Sequence, residues 1–387
     1  MFAQIREITL MNLQNLPSRL GSSSVIVVGI GGVVAVLVGL LSMASGFADV
    51  LNSTGKADRA LIMREGSTSE MNGAMSAGQR ATIRAMEEVA IGSGETYVVA
   101  AIEKIGTDVP ANVVVRGVEP QSFEIRPEVK LIEGRRFEPG RAEIIVGVKA
   151  ASQFKGLGVG ETLQVRDQAW LVVGHFVAGG GVTESEIWAD LANVQAAFRR
   201  GGTSNTMRVQ LVSAEAALTL DERLQADPRF DLMVRTEREH YAAQSEDRAA
   251  LINGFGIVVG VIMAIGAVFA ALNTMYSAVS SRTVEIATLR ALGFGGLPVV
   301  VSVMIEALAL ALLGGLLGGG LVWLAFDGYT ASTLNNASFS QVAFDFAVTG
   351  DLLQMGLTWA LVLGLIGGLF PALRAARLPI TTALRGE

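Results

Sequence analysis

Residues Val25–Ser45 read VIVVGIGGVVAVLVGLLSMAS, with no charged side chain among them. A helix needs about 20 such residues to cross the hydrocarbon core of a bilayer, so this stretch predicts a membrane span. Working outward, the uncharged stretch extends from Arg19 to Asp49. Three more runs of the same character follow. They are Phe255–Tyr276, Pro298–Phe326 (interrupted only by Glu306) and Leu352–Leu373. The composition agrees: 51% of the 387 residues are hydrophobic and only 17% charged, against about 25% charged in soluble chains. The charges crowd between Asp49 and Arg248. The first run is longer than the 7–15 residue core of a signal peptide and lies some two dozen residues into the chain, so it reads as an uncleaved anchor.

The spans carry glycines, among them Gly29, Gly31, Gly32, Gly256, Gly260, Gly314, Gly315, Gly318, Gly319 and Gly320. None sits before a lysine in a phosphate-loop pattern, so they read as helix-packing positions. Short basic segments fix the orientation. Arg6 and Arg19 precede the first span, Arg282 and Arg290 lie between the second and third, and Arg374, Arg377 and Arg385 follow the fourth, while residues 327–351 contain no Lys or Arg. By the positive-inside rule, both termini are expected in the cytoplasm and residues 47–250 outside.

These readings divide the chain as follows: a cytoplasmic N-terminal segment (1–24), a first span (25–46), an extracytoplasmic domain with its stalk (47–250), a second span (251–279), a cytoplasmic helix (280–297), a third span (298–326), an extracytoplasmic loop (327–350), a fourth span (351–373) and a cytoplasmic tail (374–387). The expected fold is an α-helical membrane protein with four spans, one before and three after a mixed α+β domain. Within that domain, strand-like runs fall at Tyr97–Ala101, Asn112–Val118, Glu143–Val148, Thr162–Val165, Trp170–Val173 and Met207–Leu211. Helix-like stretches fall at Ala77–Val89, Asp190–Arg199 and Ala214–Gln225, and the domain has the length for two lobes. Glu237–Arg248 is charged and helix-permissive, and it reads as a stalk continuing the second span outward.

The chemistry of catalysis is missing. There is no cysteine, hence no disulfide, thiol nucleophile or Cys-based zinc site. No Walker A, H-E-x-x-H or G-x-S-x-G pattern occurs. His175, at the end of a strand-like run, reads as structural; His240, in the charged stalk, reads as solvated. The chain itself is therefore not expected to be an enzyme, and no catalytic, cofactor or metal residue is assigned to it.

The informative segment is Ser280–Gly293, SSRTVEIATLRALG. It predicts a short amphipathic helix with Val284, Ala287 and Ala291 on one stripe, Leu289 and Leu292 adjoining, and Arg282, Glu285 and Arg290 offering paired charges. Gly293 ends it. Such an element serves either as a handle for a cytoplasmic partner or as an interfacial helix among lipid headgroups, and the residues alone leave both open. Glu306, only eight residues after Pro298, is read as a structural or coupling carboxylate rather than a proton relay.

The string N-T-M-x-x-x-V-x-x-R-T-x-E-I-A-T-L-R-A-L-G (Asn273–Gly293) resembles the signature of MacB/FtsX-like permeases of ABC transporters. So do the tail Gly368–Arg385, the stretch Leu131–Val165, which looks like that family's periplasmic core domain, and the lead-in Arg19-Leu20-Gly21. The resemblance implies a type VII ABC architecture without a fused ATPase domain. In it, Arg282, Thr283, Glu285, Ile286, Leu289 and Arg290 match the helix that couples to a cytoplasmic ATPase. ATP and magnesium would be held by that partner, not by this chain. The resemblance further implies a second permease copy forming a homodimer, with membrane lipids around the spans. A periplasmic adaptor and an outer-membrane channel are compatible with the family, and nucleic acid is not a partner. The implied setting is the bacterial inner membrane, and the implied work is mechanotransmission for export or envelope extraction of a lipid, lipoprotein, peptide or drug. A signalling subunit that regulates an extracytoplasmic hydrolase without moving substrate is the alternative.

Overall fold

The computed structural model describes residues 2–14, 20–107, 109–335 and 340–377. In chain order the elements are α1 (Phe2–Gln14), α2 (Leu20–Thr54), β1 (Arg59–Arg64), α3 (Ala77–Arg84), β2 (Val89–Glu103), β3 (Pro110–Val118), α4 (Ser122–Ile125) and β4 (Lys130–Gly134). Next come β5 (Glu143–Gly147), α5 (Val148–Gln153), β6 (Thr162–Val165), β7 (Gln168–Val177), β8 (Glu186–Asp190), α6 (Leu191–Ala197), β9 (Thr206–Leu211), α7 (Ala216–Ala226) and β10 (Leu232–Thr236). The chain closes with α8 (Glu237–Ser280), α9 (Thr283–Ala291), α10 (Gly296–Phe326), β11 (Thr330–Asn335), β12 (Ser340–Asp345) and α11 (Gly350–Arg377). Two compact units emerge: Met1–Ser45 with Ala250–Tyr329 and Phe346–Glu387, and Gly46–Ala249 with Thr330–Asp345.

The first unit is the membrane bundle. Four segments among the described residues are long and apolar enough to cross a bilayer: Ser23–Thr54, Gly254–Ser280, Gly296–Phe326 and Gly350–Arg377. Their inward faces share one core that includes Ile30, Val34, Ala271, Val303, Leu310 and Ala360. Their outward faces stay apolar, as at Phe255, Ile262, Phe269 and Leu324, which suits hydrocarbon on that side. The sequence-predicted packing glycines divide into two groups. A Cβ on Gly318 would land on the carbonyl oxygen of Gly31, and one on Gly314 would come within 2.8 Å of the Val27 oxygen. By contrast Gly29, Gly32 and Gly320 meet nothing within 4 Å. Close approach of α2 and α10 therefore rests on Gly31, Gly314 and Gly318.

The second unit is built on one ten-stranded sheet in the order β10-β1-β9-β2-β3-β8-β5-β7-β4, with β6 on β7. Pairing is antiparallel except between β3 and β8 and between β5 and β7. The lobes suggested by length are thus two ends of a single sheet. At one end α3 and α7 contribute Ile83, Leu220 and Leu224 to a core with Ile62 and Val209. At the other, α6 contributes Val194 to a core with Trp170, Ile144 and Val115. The predicted helix at Ala77–Val89 is shorter than expected. A capping box of Ser76 and Gln79 starts α3, but Ala85 closes it, and Val89 already pairs with Leu211 as the first residue of β2. The loop between the third and fourth spans folds as the β11–β12 hairpin, with Phe344 buried edge-on to Phe47 at 5.7 Å.

Charge fills the middle of this sheet. Arg116 donates two hydrogen bonds to Glu186, at 2.8 and 2.7 Å, and others to Glu70 at 2.7 Å and Glu95 at 2.6 Å. Arg126 pairs with Glu95 and stacks 4.1 Å over Trp188. Arg208 and Arg59 both reach Glu237, the first residue of α8. His240, expected in solvent, is instead 2% exposed in this cluster. Its Nε2 lies 2.8 Å from the Gln244 side-chain amide and 3.9 Å from Glu70. Burial pulls the imidazole down to about 4, against the counter-pull of Glu70. Burial alone would raise the carboxyls of Glu70 and Glu95, but Arg116 and Arg208 on the first and Arg126, Arg208 and Arg116 on the second hold each at about 2.

Two outcomes follow from this packing. Gly318→Ala should lower the thermal midpoint of the detergent-solubilised chain, at a cost of about 1–3 kcal/mol for forced overpacking, whereas Gly320→Ala should leave it unchanged; equal effects would remove the close-approach account. The second outcome concerns acid. The unfolded imidazole takes a proton near 6.5 that folded His240 refuses until about 4, so stability falls across that window as pH drops. The two carboxylates then lose their contribution from about 4.5 down to about 2. Denaturation of the full chain followed against pH should show both stages, and His240→Gln should flatten only the upper one.

Candidate functional site: the loop helix between the second and third spans

Within the predicted segment, Thr283–Ala291 form α9, while Ser280 still closes α8 and Gly296 already opens α10; the ends of α9 are set by local chemistry. The Thr283 hydroxyl donates to the Ser280 carbonyl at 2.7 Å. At the other end Gly293 takes φ +95°. The N–H of Gly293 donates to Arg290 O and that of Phe294 to Leu289 O, both at 3.1 Å. This is a Schellman closure, in which a glycine supplies the left-handed residue.

The face that α9 buries differs from the predicted stripe. Ile286 and Ala287 are buried, 7% and 2% exposed. Val284 and Leu292 stand out at 56% and 72% exposure, and Ala291 and Thr288 are also exposed. The reason is that two apolar faces compete on this helix. Ile286 packs with Val279 and Val299 of the neighbouring helices and Ala287 is buried beside it, leaving Val284, Thr288, Ala291 and Leu292 exposed. Of the six residues matched to the coupling helix, only Glu285 is exposed. Thr283, Leu289 and Arg290 are half-buried, and Arg282 and Ile286 are buried.

Arg282, read from the sequence as offering a paired charge, turns into the bundle and meets Glu306 of α10. Its Nη1 donates to Glu306 Oε2 at 3.0 Å and its Nη2 to Oε1 at 2.8 Å, with both side chains 6% exposed. The pair sits in a cleft among apolar side chains, including Ile8 and Met11 of α1, Met275 and Val279 of α8, and Val299 and Val303 of α10. Glu306 is therefore an ion-paired carboxylate, in keeping with a structural or coupling role. Sequence reasoning singled out both residues but gave no sign that they pair across 24 positions. Nearby, the Arg374 guanidinium of α11 lies 5.5 Å over the Tyr276 ring. Arg385 and Arg19 lie outside the described residues.

The profile of the MacB-like periplasmic core domain matches residues 23–227, just over half the chain, and that of the FtsX-like permease C-terminal region matches residues 257–380. The uncharacterized ABC transporter permease YknZ of Bacillus subtilis is 24% identical over 277 residues, covering 67% of this chain and 66% of YknZ. The pyoverdine export ATP-binding/permease protein PvdT of Pseudomonas fluorescens is 28% identical over 242 residues, covering 59% of this chain and 35% of PvdT. The chain thus spans less than two thirds of the length of either relative. Among solved structures, the periplasmic region of MacB from Actinobacillus actinomycetemcomitans superposes with a TM-score of 0.38 at 13% identity, over 48% of this chain and 91% of that one. The extracellular domain of YknZ from Gram-positive bacteria gives 0.35 at 13% identity, over 46% of this chain and all of that one.

Because the chain has no cysteine, single cysteines can map α9 directly. A polar maleimide should label Val284→Cys and Thr288→Cys in the solubilised protein and spare Ile286→Cys and Ala287→Cys. Labelling of all four at similar rates would reject the assigned faces.

Proposed function

The chain belongs to the MacB/FtsX-like family of ABC transporter permeases, and from that premise we propose that it is the membrane subunit of an ATP-driven assembly whose cytoplasmic ATPase docks on the exposed face of α9. One observation carries the reading. Val284, Thr288, Ala291 and Leu292 form an outward ridge with Glu285 beside it, on a helix whose other side is fixed to the bundle. A small apolar ridge edged by a carboxylate suits insertion into a groove on a partner protein.

In this reading ATP and magnesium are held by the ATPase, and closure of its subunits displaces α9. The motion travels through the bundle to the extracellular domain, and α2 and α8 are continuous helices that run from the membrane unit into that domain. Basic residues at Arg6, Arg282, Arg290, Arg374 and Arg377 support cytoplasmic termini in the inner membrane of a bacterium. A second copy completes a dimer. The work done is export or extraction from the envelope of a lipid, lipoprotein, peptide or drug, alone or with a periplasmic adaptor and an outer-membrane channel.

The test is purification of the tagged chain from its native host in mild detergent. The wild type should bring down a polypeptide that carries a Walker A motif and hydrolyses ATP. Val284→Glu combined with Leu292→Glu should cut its recovery by about tenfold or more, since charge replaces two central apolar contacts. Undiminished recovery would move the contact elsewhere. Failure of the wild type to retain any ATPase would favour an interfacial helix.

A further inference from the structure

We propose that Arg282 and Glu306 are a positioning pair that clamps α9 to α10 at a fixed angle, so that displacement of the docking ridge is delivered to the membrane helices. The inference rests on the docking role proposed for α9 and adds the device that makes docking mechanically useful.

Three features of the geometry support it. First, the pair is a fork on a fork. Two parallel hydrogen bonds at 3.0 and 2.8 Å fix direction as well as distance, which a single contact does not. Second, its surroundings make it strong. Both side chains are 6% exposed among Ile8, Val299 and Val303, and a buried charge that loses its partner is left at high cost. Beside this pair, α9 buries Ile286 and Ala287, and Leu289 lines the same cleft. Apolar contacts resist separation but are not directional, so they do little to set an angle.

The third feature is where the pair delivers its force. The residue after Glu306 is Ala307, whose Cβ lies 2.6 Å from where a Cβ on Gly368 of α11 would stand. One turn on, Ala311 faces Gly364 of α11, and Gly314 and Gly318 lie against Gly31 of α2. These contacts leave no slack. Packed interfaces of this kind respond to displacement by moving together rather than deforming. Glu306 thus adjoins the close α10–α11 contacts at Ala307 and Ala311, and Arg282 stands one residue before α9. The cytoplasmic ridge and the glycine-packed helices are joined through these two side chains.

The role is one of orientation and not of charge neutralisation, and this separates it from an ordinary structural ion pair. Lysine at position 282 keeps the positive charge but lacks the planar fork. The experiment places spin labels on Thr288→Cys in α9 and Leu316→Cys in α10 of the full chain in lipid nanodiscs, and reads their distance distribution. A second label pair, Leu316→Cys with Leu365→Cys, reports whether α10 and α11 remain packed. The wild-type background should give a narrow α9–α10 distribution. Arg282→Lys and Glu306→Gln should both broaden it while leaving the α10–α11 distance unchanged. A narrow distribution in both variants overturns the proposal, as does one restored by lysine alone, because charge and not orientation would then suffice. Should Glu306→Gln disturb the α10–α11 pair as well, the lysine variant decides.

This measurement uses the chain alone, so its result stands apart from the docking reading. Where the wild type does retain its ATPase, Arg282→Lys should leave recovery of the ATPase within about threefold and reduce permease-stimulated hydrolysis by about tenfold. Loss of recovery and stimulation in parallel would make Arg282 part of the docking surface and overturn the positioning role.

Discussion

A bilayer core offers no water to a peptide group or a charge, and most of what is distinctive in this chain answers that constraint. Backbone groups are satisfied by making each span a helix. Helix association then has to come from close packing, because the surrounding lipid is as apolar as the side chains. Gly31 against Gly314 and Gly318, and Gly364 and Gly368 against Ala311 and Ala307, bring backbones within reach of one another. Under the same constraint the single carboxylate in the third span is met by the bidentate partner that the helix just outside the span supplies.

How much of this was legible in the sequence depends on whether the information is local. The spans were readable because hydrocarbon acts on each helix separately, and α9 with its Gly293 stop was readable because capping is a matter of adjacent residues. The strands Thr162–Val165 and Met207–Leu211 declared themselves by apolar and β-branched residues. By contrast β8, Glu186–Asp190, begins and ends on an acid and is absent from the strand-like runs read from the sequence. It is buried throughout only because Arg116, seventy positions earlier, answers Glu186 with two hydrogen bonds. His240 failed for the same reason. A helix start rich in Glu and Arg looks solvated until Arg59 and Arg208 are seen to turn inward on Glu237.

The candidate site shows the limit most sharply. Helical periodicity over Ser280–Gly293 picked out one stripe, Val284, Ala287 and Ala291, and missed that Ile286 is buried in place of Val284, because burial depends on which face the neighbouring helices cover. Arg282 was readable as functional and Glu306 as costly. Their pairing was not readable, since nothing local links positions 282 and 306.

The two units use arginine in opposite ways. In the extracellular sheet, Arg59, Arg116, Arg126 and Arg208 meet Glu70, Glu95, Glu186 and Glu237 in one shared cluster. Most charges there have more than one partner, Glu95 meeting Arg116, Arg126 and Arg208 and Arg116 meeting Glu70, Glu95 and Glu186, so displacement of one contact leaves others in place. In the membrane bundle Arg282 meets Glu306 in a single bidentate pair. A network spreads strain, whereas an isolated fork passes it on. That difference fits the positions the two arrangements occupy: the network holds together a broad sheet, and the isolated pair stands where a nine-residue helix must act on a bundle whose helices are locked by glycine.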